Sequence, residues 1–174
     1  MNFSEIANQF GTVESFKKGE YIFNLGDISQ HVYFVIEGVL KAHYLTEEGK
    51  EFIKSFVLPN DTIASLQALD GDSCSFNLLC LKDTKVIKLA YQTIVEQSKT
   101  NIEIANSVIE LLVAFGKKKE KREYELLCLD AQQRYQQLLQ RNPNIYDFVT
   151  QNDIARYLGV TPVALSRIKN AIYS

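Results

Sequence analysis

Between Phe16 and Leu89 the hydrophobic residues come in short runs broken by turn-forming ones. YIF is followed by NLGD, HVYFVI by EG, VLKAHYL by TEEGK, and FIKSFV by LPND; SFNLLCL and KVIKL come next, separated by KDT. Short runs rich in β-branched and aromatic residues at this spacing predict an all-β sandwich or barrel rather than βαβ units. Gly19, Gly26, Gly38, Gly49 and Gly71 mark its corners. Glu37–Gly38 reads as a tight hairpin turn, because glycine accepts the positive φ such turns need.

Near Tyr91 the period changes. Ile102, Ala105, Ile109, Leu112 and Phe115 or Gly116 recur at spacings of three and four, the pattern of an amphipathic helix. No proline interrupts it before about Leu127, and Gly116 costs roughly 1 kcal/mol against alanine without ending it. A helix over 101–127 would be about 40 Å long, more than a small domain needs. Part of its stripe is expected to pack on its own β-domain and part to pair with a second copy of the chain. The run Lys117, Lys118, Lys119, Lys121 and Arg122, mixed with Glu120 and Glu123, reads as the solvated part of this helix. Asp130 can cap a further helix, AQQRYQQLLQR, with Tyr135, Leu138 and Leu139 inside. Asn142-Pro143 stops it, and 145–149 is a connector.

Two short helices close the pattern. Gln151 to Leu158 places Ile154, Ala155 and Leu158 on one side; Gly159 makes a turn and Val160 fills the space between helices. Thr161 is a good N-cap, and Pro162 suits the first helical position, where its missing N–H would be unpaired anyway. The second helix runs to about Tyr173, with Leu165, Ile168 and either Ala164 or Ala171 inward. Pro162, Val163, Ser166, Arg167, Lys169 and Asn170 stay outside. This is the spacing of a helix-turn-helix, whose second helix enters the DNA major groove. Arg167 is the candidate base contact, since a guanidinium can grip guanine O6 and N7 together. Thr161, Ser166 and Lys169 suit phosphates. An αα-hairpin that packs only on itself is the plainer alternative.

Charge sharpens this division. The net charge of the 174 residues is −2. Residues 1–115 hold 9 Lys/Arg against 15 Asp/Glu, and residues 116–174 hold 10 against 6. Contact with a polyanion therefore belongs to the back of the chain. MNFSEIANQF lacks the basic start and apolar centre of a signal peptide, and no apolar run could span a bilayer. A cytoplasmic protein without membrane contact is the expectation. Cys74, Cys80 and Cys128 fit no metal spacing and are expected to be buried or half-buried free thiols.

Taken together, these segments resemble the Crp/Fnr family of transcription regulators. KKGEYIFNLGD, HVYFVIEGVLKAHYLTEEGKE and FVLPNDTIASL look like its cyclic-nucleotide-binding-type β-roll. The middle helix resembles the family's dimerisation helix, ELLCLDAQQRYQQLL the stretch leading into its DNA-binding domain, and DIARYLGVTPVALSRIK its helix-turn-helix. The resemblance implies an α+β fold: an antiparallel, jelly-roll-like β-roll flanked by helices over 1–99, a dimerisation helix over 100–127, and an all-α head over 128–174. Ile102, Ala105, Ile109, Leu112 and Phe115 would be the dimer seam. The implied partners are double-stranded DNA, a second copy, RNA polymerase and a small-molecule effector of unknown identity; no cofactor is implied.

Departures from the family matter for the effector. Cyclic-nucleotide binders in it carry a Gly-Glu-Leu turn and an Arg-Ser pair that hold ribose and phosphate. The matching positions here are Ala64-Ser65-Leu66 and Cys74-Ser75. Cysteine cannot replace a charge-assisted arginine–phosphate bond, so cyclic AMP is not expected to be a ligand. No cysteine precedes Cys74, where an oxygen-sensing iron–sulfur cluster would need several, and His31 and His43 read as strand or loop residues rather than haem ligands. Cys74 and Cys80 are the weak candidates for a redox signal. Better-known members carry Arg and Glu where Pro162 and Val163 stand, so either a different DNA site or a modest affinity is expected. Many also add a β-hairpin wing after the recognition helix; the sequence ends at Ser174, and a wingless head is expected. A sensor dimer that no longer binds DNA is the competing reading, supported by only three cations against Asp153 in residues 150–174. Catalysis is not expected, because two histidines twelve apart cannot build a cupin-like metal site and no nucleophile–base pair or phosphate loop is visible.

Overall fold

The computed structural model describes residues 1–173. Its β-domain is a sandwich of two four-stranded antiparallel sheets. The strands are β1 (Thr12–Phe16), β2 (Tyr21–Phe23), β3 (His31–Glu37), β4 (Leu40–Leu45), β5 (Glu51–Val57), β6 (Thr62–Ile63), β7 (Asn77–Cys80) and β8 (Thr84–Ala90). One sheet has the order β1-β8-β3-β6 and the other β2-β7-β4-β5. First strand pairs with last, second with seventh, third with sixth and fourth with fifth, which is jelly-roll connectivity. The interior is filled by Phe23, Tyr33, Val35, Leu40, Phe76, Leu78 and Val86.

This topology corrects one expectation. Glu37–Gly38 is not a hairpin turn. β3 and β4 belong to different sheets, and the chain crosses from one to the other at Gly38, whose φ is 98°. The sequence signal was sound for positive φ but could not distinguish a corner from a hairpin. The true hairpin joins β4 to β5 through Thr46–Lys50, where Gly49 also has positive φ.

Both faces of the first sheet are covered. β3 sends Tyr33 and Val35 into the sandwich and Val32 outward; β8 sends Val86 in and Leu89 out. The outer layer is closed by three helices: α1 (Phe3–Phe10), α3 (Tyr91–Thr100) and α4 (Ile102–Cys128). α2 (Leu66–Leu69) is a single turn after β6. The sequence pattern left α1 unread. Its signature is a capping box in which the Asn2 side chain accepts from the Glu5 amide and the Glu5 carboxylate accepts from the Asn2 amide. α4 agrees with the expected long helix, capped by Asn101. α5 (Ala131–Arg141) starts at Asp130 with a second capping box. A 3₁₀ turn (Ile145–Asp147) leads to α6 (Gln151–Leu158) and α7 (Pro162–Tyr173). Gly159, in the left-handed region, ends α6.

Adding a Cβ at Gly38 would bring it within 2.4 Å of the Thr84 hydroxyl and 2.7 Å of the Asp83 carbonyl. Gly19 has a similar φ but nothing within 4 Å. Gly38→Ala is therefore expected to lose about 2–3 kcal/mol in urea denaturation, roughly twice the loss of Gly19→Ala, which bears only the backbone cost.

Candidate nucleic-acid interface

The head is built on α6. Ile154, Ala155 and Leu158 are fully buried, together with Tyr135, Leu138, Ile145 and Leu165. This layer also holds Val39 and Ile53 of the sandwich, with Phe56, Leu58 and Leu81 packed against it. The head therefore shares a core with the outer face of the second sheet. The Phe56 and Tyr157 rings meet across the junction at 5.4 Å.

Charges set the register of this contact. Lys41 on β4 donates to Asp153 of α6 at 3.2 Å and to Glu51 of β5 at 2.7 Å. Lys41 is 5% exposed and Asp153 6%. Arg156 adds a contact to Glu51 at 3.4 Å. Asp153 also closes the N-terminal box of α6 by accepting from the Thr150 amide at 3.2 Å, and it accepts from the Thr150 hydroxyl at 2.5 Å as well. Burial alone would raise the Asp153 pKa, but the Thr150 hydroxyl and the Lys41 ammonium outweigh it and hold it below the usual carboxylate range. His43 lies beside this cluster; burial pushes its pKa down, and its Nδ1 has no hydrogen-bond partner among the described residues.

The other end of α6 is held by arginines. Arg122 of α4 donates to the Tyr157 carbonyl and stacks 3.8 Å from the Tyr157 ring centroid. Arg134 of α5 donates to the Leu158 carbonyl at 3.1 Å and to the Leu129 carbonyl. Guanidinium groups thus satisfy the last carbonyls of α6, which have no partner within the helix. Glu125, 2% exposed, receives Arg141 through both oxygens and lies 3.8 Å from Arg122. Arg122 is not part of a solvated run as expected. It is embedded because the head folds back against the end of α4, whereas Lys117, Lys118, Lys119 and Lys121 are exposed.

α7 places the candidate DNA contacts as follows. Thr161 caps the helix, its hydroxyl accepting from the Ala164 amide at 3.2 Å. Pro162, Val163, Ser166, Arg167 and Asn170 are exposed. Arg167 has no hydrogen-bond or ion-pair partner among the described residues. Lys169 differs from expectation. Its ammonium turns back to Gln151 at 3.4 Å and lies over the Tyr146 ring, where an apolar stem and a ring face are available. Inward, Ala164 rather than Ala171 accompanies Leu165 and Ile168.

On α4, Ile102, Ile109 and Leu112 are exposed and Ala105 is half-buried. Ile104, Val108, Leu111 and Phe115 face the sandwich instead. At about 100° per residue, Phe115 falls on the sandwich side and Gly116 on the exposed stripe, which decides between the two. Between the Ala64–Leu66 turn and Cys74–Ser75, the Ser65 hydroxyl accepts from the Ser75 amide at 3.1 Å and lies 3.3 Å from the Ser75 hydroxyl. Ala64 and Cys74 are buried there, while Leu66 is exposed. Burial pushes the Cys74 and Cys80 thiols up, away from thiolate chemistry. Cys128, expected to be buried or half-buried, is exposed at the end of α4. Among the described residues no three His, Cys, Asp or Glu side chains converge as metal ligands, and no helix is long and apolar enough to cross a membrane.

The sequence pattern of the cyclic nucleotide-binding domain matches residues 13–101, just over half of the chain. Regulators match over most of it. The fumarate and nitrate reduction regulatory protein of Vibrio cholerae is 25% identical over 166 residues, covering 87% of this chain and 65% of that protein. The transcriptional activator protein anr of Pseudomonas aeruginosa is 24% identical, covering 87% and 66%. The chain belongs to the Crp/Fnr family. It spans about two-thirds of the length of these curated relatives. The fold agrees: FixK2 from Bradyrhizobium japonicum superposes with a TM-score of 0.80 at 21% identity, covering 94% of this chain and 84% of that one. In this Crp/Fnr chain the turn that names the domain carries Cys74 and Ser75 and no cation.

Removing one partner of a buried ion pair leaves the other uncompensated. Asp153→Ala is expected to cost about 3 kcal/mol in urea denaturation at neutral pH, at the low end for buried pairs because Glu51 still faces Lys41. Since the folded pKa of Asp153 is depressed, its stabilisation is present above about pH 4 and is lost as pH falls further. Asp153→Asn should therefore flatten the acid limb of the stability–pH curve.

Proposed function

We propose that the chain is a homodimeric, cytoplasmic DNA-binding transcription regulator of the Crp/Fnr type. In this reading residues 1–99 are the sensor, 100–127 the dimerisation helix and 128–174 the reading head. The observation that carries it is the outer face of α7. Arg167 projects from it unpaired, with Ser166, Val163 and Thr161 exposed beside it and no carboxylate in α7. A helix presented in this way fits the major groove. Two heads related by a two-fold axis along α4 would read half-sites about 34 Å apart. Ile102, Ile109, Leu112 and Gly116 form the seam, and a Cβ at Gly116 would meet nothing within 4 Å, so a second backbone can approach closely.

The regulator names of the relatives support the same reading, and RNA polymerase is the further partner it implies. The effector is not a cyclic nucleotide in this proposal. The hydroxyls at 65 and 75 lie within hydrogen-bonding distance of each other, and residues 64–66 and 74–75 include no cation.

Ile109→Glu is expected to convert the dimer to a monomer in size-exclusion chromatography with light scattering while leaving the melting temperature of the fold within a few degrees, since Ile109 is 58% exposed. An unchanged mass would remove α4 as the seam. In gel shifts with genomic fragments, Arg167→Ala should weaken specific binding by about 1–3 kcal/mol and relax sequence preference, whereas salt should weaken wild-type binding steeply. Absence of any salt-sensitive DNA binding would favour the sensor dimer without DNA recognition.

A further inference from the structure

His43 is a buried titratable group at the junction of sandwich and head. It follows Lys41 by two residues on β4, so both side chains leave the same face of the second sheet, the face that meets α6. Ala42 faces Ser55 and His43 faces Ile53, so Lys54 is the extra residue of a β-bulge. The bulge sets Ile53, a member of the layer shared with Ile154, opposite His43. His43 is 3% exposed. The groups facing it are Lys41 on its own strand, Glu51 of β5, Arg156 of α6 and the Tyr21 ring of β2 at 6.2 Å. Asp153 of α6 joins the cluster through Lys41.

With a neutral imidazole, Lys41 and Arg156 balance Glu51 and Asp153. A proton on His43 adds a positive charge that has no acceptor in place. Nδ1 has no hydrogen-bond partner among the described residues, and Nε2 lies 3.9 Å from Glu51 Oε2, too far for a hydrogen bond. The other Glu51 oxygen already receives Lys41 at 2.7 Å and Arg156 at 3.4 Å. An imidazolium has two N–H donors to satisfy, and a buried charge without partners is costly. Burial accordingly lowers the His43 pKa against the opposing pull of the Glu51 carboxylate, and the Lys41 ammonium adds to the lowering. With the head lifted away, the same strand face meets water, which solvates the charged ring.

We propose that His43 is a proton latch for the head: the neutral ring lets α6 dock on the second sheet, and protonation releases it. The released arrangement binds the proton more tightly, because an exposed histidine has its ordinary pKa near 6.5 and the docked one is held lower. Docking is therefore at full strength above about pH 6.5 and weakens as pH falls, by at most about tenfold per pH unit for one proton. Asp153 also weakens docking when protonated, but only below about pH 4. His31 sits on β3 in the other sheet, beside Lys88 and Glu14. Released heads must be re-oriented to meet two half-sites, so acid weakens specific DNA binding. That consequence rests on the proposed function; the latch does not.

The test is hydroxyl-radical footprinting of the full chain, which reads side-chain exposure. Between pH 6.5 and 5.5 oxidation of Phe56 and Tyr157, whose rings meet across the junction, is expected to rise several-fold. Leu40 and Phe76 inside the sandwich should stay protected, and the helical circular dichroism should not change. His43→Gln keeps a hydrogen-bonding side chain that takes up no proton in this range, and it should abolish the rise; His31→Gln should preserve it. NMR titration of the wild-type imidazoles needs no variant and decides the matter if His43→Gln does not fold: His43 should titrate below pH 6.5, together with the exposure of Phe56. A His43 that titrates at or above 6.5, a junction equally protected at both pH values, or an undiminished rise in His43→Gln overturns the proposal. Gel shifts at pH 7.5 and 5.5 report separately on the regulator reading: a junction that opens through His43 in a chain that never binds DNA would sink that reading and leave the latch standing.

Discussion

The ion pair between Lys41 and Asp153 is the constraint on which the arrangement of the molecule depends. It joins the second sheet of the sandwich to the first turn of α6, with both partners nearly out of solvent. A buried pair of this kind adds little net stability over an apolar contact of the same volume. What it adds is direction. Apolar layers such as Ile53 against Ile154 tolerate sliding, whereas an ammonium shared between Asp153 and Glu51 has one satisfactory position. α6 is held at its other end by Arg122 and Arg134 on its final carbonyls. Acid at its start and guanidinium at its end also complement the helix dipole.

These two clamps come from different parts of the chain. Lys41 belongs to the sandwich, and Arg122 to the long helix. The orientation of α6, and of α7 packed on it, is therefore set jointly by both. A displacement of α4 against the sandwich must either carry α6 with it or break one clamp, and breaking either leaves a buried charge or carbonyl without a partner. Lys118–Asp61 is a further tie between the long helix and the sandwich.

Local rules read much of this correctly. Strand runs, the caps at Asp130 and Thr161, the break at Asn142-Pro143 and the left-handed Gly159 depend on neighbours within a few residues, so their signals are in the sequence itself. α1 could have been read the same way from Asn2 and Glu5. Other features were not legible. The alternation in LKAHYL marks Lys41 and His43 as the polar face of a strand, and a polar face ordinarily meets water. Here the head covers it, and Asp153 supplies the charge that makes the burial tolerable. Arg122 belongs to a basic run that looks solvated, until the head folds back on it. Lys54 looks like one more strand lysine, because a bulge is a property of two paired strands.

The order of strands and helices, the caps, the turn glycines and the helix-turn-helix spacing were decided by the chain alone, since each rests on short-range sterics, hydrogen bonding or periodicity. Which sheet each strand joins, which face of α4 meets the sandwich, and which charges are buried were decided only by tertiary packing. The physical reason is that burial and pairing depend on residues more than a hundred positions apart, as Lys41 and Asp153 are, and no local pattern carries the identity of a partner that only folding brings near.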